Sequence, residues 1–316
     1  MPDPNILKRL NPEFAPLLAQ FAVVPETPPT LDETRAMYRG LQPVAPQLKV
    51  GEIRDTTFPG PAGPVKVRHY IPEGKGPFPV IVHFHGGGFI MGDLETHDAQ
   101  CRLLCREARC IVTAVDYRLG PEHPYPAGHE DCFAALRWAG ANATQFGGDA
   151  GRIGVAGDSA GGHLALYCAL RARKSGGPVI RALLAVVPGV VMGPPLTEEI
   201  SAGRESRNNS LLSSEGMDNF VAAYFQSPTD PADPALNFFG ADLSGLPPSI
   251  IAPAEIDVLH DEGVAIAARL KEAGVPTQLM VGEGMVHIYF SVTEIFPSAR
   301  PFAVKAAKAM GELMHS

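Results

Sequence analysis

The chain has 316 residues, 45% of them hydrophobic and 19% charged, with a formal net charge of −8. That length suffices for one large core. The acidic balance leaves no basic patch for phosphates, so nucleic acid is not an expected partner, and no apolar run reaches the roughly 20 residues that span a bilayer.

The first residues, Met1-Pro2-Asp3-Pro4-Asn5, have neither the basic start nor the apolar stretch of a secretory signal, and the cytoplasm is the expected compartment. Leu7, Leu10, Phe14, Leu17, Leu18 and Phe21 recur at helical spacing, and Thr30-Leu31-Asp32-Glu33 reads as a capping box opening a second helix through Leu41. Such stripes must bury against something: either the segment is an arm packed on the core or it is a lid over a pocket.

From Lys49 the period changes. Gly51 to Phe58 and Val65 to Tyr70 alternate as strands around the turn-rich 59–64, a hairpin suited to a sheet edge. Pro79 to Phe84 is almost wholly apolar, as a strand buried on both faces should be, and His85-Gly86-Gly87-Gly88-Phe89 follows at once. Without Cβ atoms, the N–H groups of Gly87 and Gly88 can approach a ligand oxygen closely, as an oxyanion hole requires.

Strand and helix patterns then alternate: helix near His97 to Glu107, strand Ile111 to Val115, helix near Gly128 to Gln145, strand Arg152 to Ala156, helix Gly161 to Lys174, strand Arg181 to Val187. This predicts right-handed crossovers and a mostly parallel sheet with helices on both faces. Between strand and helix lies Gly157-Asp158-Ser159-Ala160-Gly161, a G-x-S-x-G pentapeptide. A serine on a sharp strand-to-helix turn flanked by small residues is a nucleophile elbow; the pentapeptide is weak alone, and its flanks carry the reading.

Residues 189–236 break the rhythm with Pro194-Pro195, the polar stretch Ser201 to Ser210, and Met217, Phe220, Val221, Tyr224 and Phe225 at helical spacing, an insertion with its own amphipathic helix. The rhythm returns with strand Ser249 to Ala254, helix Asp261 to Ala273, strand Thr277 to Val281, a glycine-bearing loop over 282–286, and a last helix near Ala299 to Met314. Cys101, Cys105, Cys110, Cys132 and Cys168 are odd in number and lack C-x-x-C spacing, so they read as reduced core thiols. His83 and His85 share a strand face, but no third ligand follows at a telling spacing, so no metal is expected.

A serine hydroxyl needs a base, and the base needs a carboxylate. Downstream of Ser159 the histidines are His163, His260, His287 and His315. His287 follows the last strand and Asp257 the preceding one, which brings both to the carboxyl edge of the sheet with Ser159. Glu255 and Asp261 are the alternative acids.

His85-Gly86-Gly87-Gly88, Asp116-Tyr117-Arg118-Leu119, Pro121-Glu122-His123-Pro124, Gly157-Asp158-Ser159-Ala160-Gly161-Gly162, Asp257-Val258-Leu259-His260-Asp261-Glu262-Gly263 and Gly284-Met285-Val286-His287 together resemble the hormone-sensitive-lipase family of α/β-hydrolase carboxylesterases. The resemblance runs from about residue 45 to the C-terminus, and 1–45 and 189–236 are similar to that family's helical cap around a core of 46–188 and 237–316. It implies an α/β-hydrolase fold with Ser159 as nucleophile, Asp257 as acid and His287 as base. Gly87, Gly88 and Ala160 would supply the oxyanion-hole N–H groups, with no cofactor and no metal. It also implies a small-molecule ester as substrate, and a homodimer through Thr277 to Val281 and the last helix.

Three departures stand out: His163 where asparagine is usual, Gly120 where alanine is common, and Ile288-Tyr289-Phe290 after His287. They border the site or its supporting shell, so they leave the reaction type unchanged and bear on substrate preference. Asp158 and His85 read as hydrogen-bonding supports for the elbow and the glycine loop, and Asp116-Tyr117-Arg118 as a buried polar clamp. The expected function is hydrolysis of short- to medium-chain acyl esters, with Leu211, Leu212, Met217, Phe220 and Phe225 lining the acyl pocket. An amidase or acyltransferase with the same triad, and a non-catalytic small-molecule receptor of the same fold, remain the alternatives.

Overall fold

The structure is a computed structural model that describes residues 3–23, 27, 29–43, 45–192, 196–209, 211–226, 233 and 236–316. Its strands are β1 (Glu52–Gly60), β2 (Gly63–Ile71), β3 (Phe78–Phe84), β4 (Ile111–Val115), β5 (Gly148–Asp158), β6 (Ile180–Val186), β7 (Ser249–Ala252), β8 (Ala254–Ile256), β9 (Thr277–Leu279) and β10 (Gly282–Val286). Its helices are α1 (Pro4–Leu7), α2 (Ala15–Phe21), α3 (Leu31–Leu41), α4 (Asp98–Ala108), α5 (Ala127–Asn142), α6 (Ala160–Ser175), α7 (Glu198–Ser206), α8 (Ser214–Tyr224), α9 (His260–Glu272) and α10 (Arg300–His315).

Eight strands form one sheet in the order β1-β2-β4-β3-β5-β6-β7-β9. The hairpin β1–β2 pairs antiparallel at one edge, β2 meets β4 antiparallel, and every later pairing is parallel. The apolar runs dictate this: β3 from Pro79 on, β4 and the second half of β5 are buried, as strands covered on both faces must be. One face packs with residues of α5, α6 and α9, the other with α4, α10 and the arm residues Phe14 and Leu17. This is the α/β-hydrolase fold.

The structure corrects the sequence reading at several points. The expected strand Ser249 to Ala254 divides at Pro253, which has no N–H to continue the ladder. Its second piece, β8, pairs in parallel with β10, so 282–286 is a strand and not the expected loop. The polar stretch after Ser201 overlaps helix α7, begun by Thr197, whose side chain accepts from Ile200 N–H. Helix α5 ends at Asn142 and a short 3-10 turn carries the chain on to Phe146. The capping box at Thr30 and Glu33 is present, with both reciprocal hydrogen bonds formed. Residues 193–195, 210, 227–232 and 234–235 of the expected insertion, Pro194-Pro195 among them, lie outside the described residues. Among the described residues no helix is long and apolar enough to cross a membrane, and the five cysteines are buried and unpaired.

Candidate active site

Ser159 sits between β5 and α6 with φ 54° and ψ −119°, a positive φ that an L-residue adopts only under constraint. Constraint comes from close packing of backbone: a Cβ on Gly157 would collide with the Gly161 carbonyl, and one on Gly161 with the Phe84 carbonyl. Only glycines allow the helix to start this near β3, and the turn is locked by Ser159 N–H donating to Val186 O at 2.9 Å.

His287 Nε2 lies 2.9 Å from Ser159 Oγ, and its Nδ1 lies 2.8 Å from Asp257 Oδ2. Asp257 is fully buried, and its other oxygen accepts the Leu259 N–H at 3.1 Å. Burial alone would push the His287 imidazole down, but the charge and hydrogen bond of Asp257, aided by Asp158, hold it above its ordinary value of 6.5. Ser159, Asp257 and His287 are thus brought together at the carboxyl edge of the sheet. The alternative acids are engaged elsewhere: Glu255 with Arg9 and Gly284, Asp261 with Arg207.

The glycine loop lies beside this relay. Gly87 has φ 114°, and a Cβ there would collide with the Met91 carbonyl, to whose chain it is tied by Met91 N–H donating to Gly87 O at 2.9 Å. The N–H groups of Gly87 and Gly88 donate to no protein acceptor among the described residues. Ala160 opens α6, where the first N–H groups have no intrahelical partner. A cavity of about 220 Å³ collects Ser159, His287, Gly87, Gly88 and Ala160.

Asp158 and His85 act below that loop. Asp158 Oδ1 accepts from Gln100 Nε2 at 2.8 Å, and Oδ2 lies 3.3 Å from His97 Nε2, which is itself 3.2 Å from Gly86 N. Burial would raise the Asp158 carboxyl, but His97, His83 and Gln100 outweigh it and hold it well below the usual carboxylate range. The His85 carbonyl accepts from Tyr117 Oη at 2.7 Å, and Arg118 grips the buried Asp131 with two hydrogen bonds. His97 and Gln100 escaped the sequence reading, although their i, i+3 spacing at a helix start was a signal. Among the described residues no cluster of three His, Cys, Asp or Glu side chains suited to a metal occurs.

Leu211, Leu212, Met217 and Phe220 line the cavity as expected; Phe225 does not. Helix α8 ends at Tyr224, so Phe225 leaves the helical stripe and packs on Phe89 and Tyr125, with ring centroids at 5.8 and 5.0 Å. The opposite wall, unforeseen in detail, comes from the N-terminal segment: Phe21, Thr34, Met37, Tyr38 and Leu41. Of the three departures, only Ile288 lines the cavity. His163 donates from Nδ1 to Gly189 O at 3.0 Å, and Gly120 packs against Tyr224 and the Ala223 carbonyl.

A family model described as alpha/beta hydrolase fold matches residues 81–291. The chain is 42% identical to the carboxylic ester hydrolase LipN of Mycobacterium tuberculosis, over 79% of this chain and 67% of that protein. It is 36% identical to the carboxylesterase NlhH of the same species, over the whole of both. Among solved structures, the hyperthermophilic esterase of the archaeon Pyrobaculum calidifontis superposes with a TM-score of 0.88 at 32% identity over 100% of each chain.

Proposed function

This chain belongs to the hormone-sensitive-lipase family of α/β-hydrolase carboxylesterases and is a serine carboxylic-ester hydrolase acting on small-molecule esters, and from that premise we propose that Ser159, His287 and Asp257 carry the reaction on short- to medium-chain acyl groups. The observation that carries the assignment is the unbroken relay of 2.8 and 2.9 Å from a fully buried carboxylate to a conformationally constrained serine.

Ser159 Oγ attacks the acyl carbonyl carbon while its proton passes to His287 Nε2; Nδ1–H stays with Asp257, which stabilises the imidazolium. The carbonyl oxygen becomes an anion held by the N–H groups of Gly87, Gly88 and Ala160. Collapse breaks the ester C–O bond, and the alcohol leaves with the proton from Nε2. Water then attacks the acyl-enzyme, giving its proton to Nε2; the acid departs and Ser159 regains its hydrogen.

The N-terminal segment and the described parts of 189–236 together form a cap, supported by their sharing the two walls of one cavity. Each buried methylene is worth about 0.8 kcal/mol, close to fourfold in kcat/KM while room remains. A cavity of about 220 Å³ falls below the roughly 300 Å³ at which drug-sized ligand pockets begin. We therefore expect preference to climb from acetyl esters by that factor per methylene and to stop at about C4–C8, where the room ends. A p-nitrophenyl series from C2 to C16 tests this, and a profile still rising at C16 would remove the bound on the acyl chain.

The triad is tested on the same esters and on matched anilides. Ser159→Ala, His287→Ala and Asp257→Asn should each lower kcat by about 10⁴-fold or more with the thermal transition retained. Near-normal kcat in Asp257→Asn, with loss in Glu255→Gln or Asp261→Asn, would reassign the acid. His287 must be neutral to accept a proton, so kcat/KM should rise with pH. Because the folded site raises its pKa, the midpoint should lie above the ordinary 6.5. A midpoint below that value, or a flat profile from about pH 5 to 9, would remove histidine as the base.

A further inference from the structure

The strands that deliver Asp257 and His287 form a short two-stranded ribbon of their own. They belong to neither edge nor centre of the main sheet: β8 has three residues and β10 five. Their register runs Gly282 against Ala254 and Val286 against Ile256, so one residue of β8 faces three of β10. A bulge of that size removes ladder hydrogen bonds, and only Val286 separates it from His287.

The residue of β8 opposite the bulge is Glu255. Its side chain is nearly buried, 10% exposed, and its Oε2 accepts the N–H of Gly284, the middle residue of the bulge, at 2.8 Å. Its Oε1 pairs with Arg9 at 2.7 Å. Gly284 has φ 69°, and its carbonyl accepts the Asn11 N–H at 2.9 Å, so the bulge is held by the carboxylate on one side and by the N-terminal segment on the other. Behind the ribbon, Arg207 and Asn209 donate to the carbonyls of Glu255 and Ile256 at 3.2 and 3.3 Å.

We propose that Glu255 is a positioning residue: its carboxylate replaces the ladder hydrogen bond that the bulge removes, and so sets the distance of His287 from Asp257 and Ser159, with Arg9 coupling that setting to the docked N-terminal segment. This rests on the triad assignment above. A nearly buried carboxylate two residues from the acid is costly unless it is fully used, and here both oxygens are used on the strand that leads to the base. Displacing a base by a fraction of an ångström from a serine 2.9 Å away lowers the rate steeply, since about 1 Å can cost 10²-fold.

The test compares Glu255→Leu, Glu255→Gln, Glu255→Asp and Arg9→Ala in the full chain, with active sites counted by a serine-directed phosphonate and Ser159→Ala as control. Glu255→Leu should lower kcat on p-nitrophenyl butanoate about tenfold with KM changed less than about twofold. Its pH midpoint should move down, because a loosened His287 loses part of the Asp257 contribution. Glu255→Gln keeps an acceptor for Gly284 N–H and should recover most of kcat; Glu255→Asp keeps the charge but withdraws the acceptor and should not. Arg9→Ala, at an exposed side chain, should lower kcat about two- to threefold. If Glu255→Leu does not fold, the order Gln above Asp carries the result. Wild-type kcat and pH midpoint in Leu or Asp, or Gln as impaired as Asp, would overturn the proposal. An active Ser159→Ala would overturn the triad assignment instead.

Discussion

The two segments that wall the cavity from outside the sheet are fastened by different physics. The insertion is anchored through α7, where Arg204, 5% exposed, meets Glu262, fully buried on α9. Two hydrogen bonds run from the guanidinium to Glu262 Oε1, while Oε2 accepts the N–H groups of Val190 and Val191 at 2.9 and 3.0 Å. Burial pushes the Glu262 carboxyl up, and Arg204 with the two N–H groups only partly offsets it. Helix α3, by contrast, has no fully buried residue. Arg35 holds it, donating to Ile90 O and Gly120 O and forming a double hydrogen bond to the half-exposed Glu122. Arg39, 67% exposed, pairs with Asp93. One wall is tied into the core and the other is laced across its surface.

The strongest way to break that contrast is at the buried pair. Arg204→Ala leaves a buried carboxylate without its counter-charge, which typically costs about 3–5 kcal/mol and here should lower Tm by on the order of 10 °C. Differential scanning calorimetry decides it. A drop no larger than that of Arg39→Ala would mean that the insertion is held by its apolar contacts and not by this pair.

The same contrast explains what could be read from the residues in advance. Strands β3, β4 and β6 and helices α4, α6 and α10 were legible to within a few residues because apolar period and burial agree there. The elbow, the glycine loop and the gathering of Ser159, Asp257 and His287 were legible because each follows a strand at one sheet edge. Helix α7 was hidden because its inward face consists of Ile200, Gly203 and Arg204, which has no apolar period. Ribbon β8–β10 was hidden because Pro253 lies inside an apolar run, and Gly282-Glu283-Gly284 reads as a turn until a carboxylate from another strand satisfies it. Phe225 was misplaced because helical spacing continues in sequence past the point where the helix stops. Arg35 was invisible because two of its partners are carbonyls, on Ile90 and Gly120.

A smaller effect should come from unlacing α3. The double variant Arg35→Ala with Arg39→Ala removes no fully buried side chain, so Tm should fall by only a few degrees. Thr34, Met37, Tyr38 and Leu41 would lose their fixed place on the cavity wall. We expect kcat/KM for the best medium-chain ester to fall about tenfold, and the C2 to C16 profile to flatten as the wall ceases to bound the acyl chain. An unchanged profile would show that α3 covers the cavity without shaping it, and a collapse of Tm would show that it is tied in as firmly as α7.

The smallest effect is ionic. Exposed pairs such as Arg39 with Asp93 contribute about 1 kcal/mol at most, and salt screens them because the Debye length falls from about 10 Å at 0.1 M to 3 Å at 1 M. Raising sodium chloride from 0.05 to 1 M should therefore raise KM for a neutral medium-chain ester by no more than about fivefold, the factor that 1 kcal/mol allows. The buried Arg204–Glu262 pair, shielded from ions, should leave Tm nearly unmoved over the same range. In Arg39→Ala the pair is already absent, so the salt response of KM should shrink toward the remainder carried by Arg35 and Glu122. Salt also strengthens apolar contacts, which would lower KM, and the sign of the response separates the two. A fall in KM with salt, or a response of equal size in wild type and Arg39→Ala, would show that the surface pairs do not hold α3 in place.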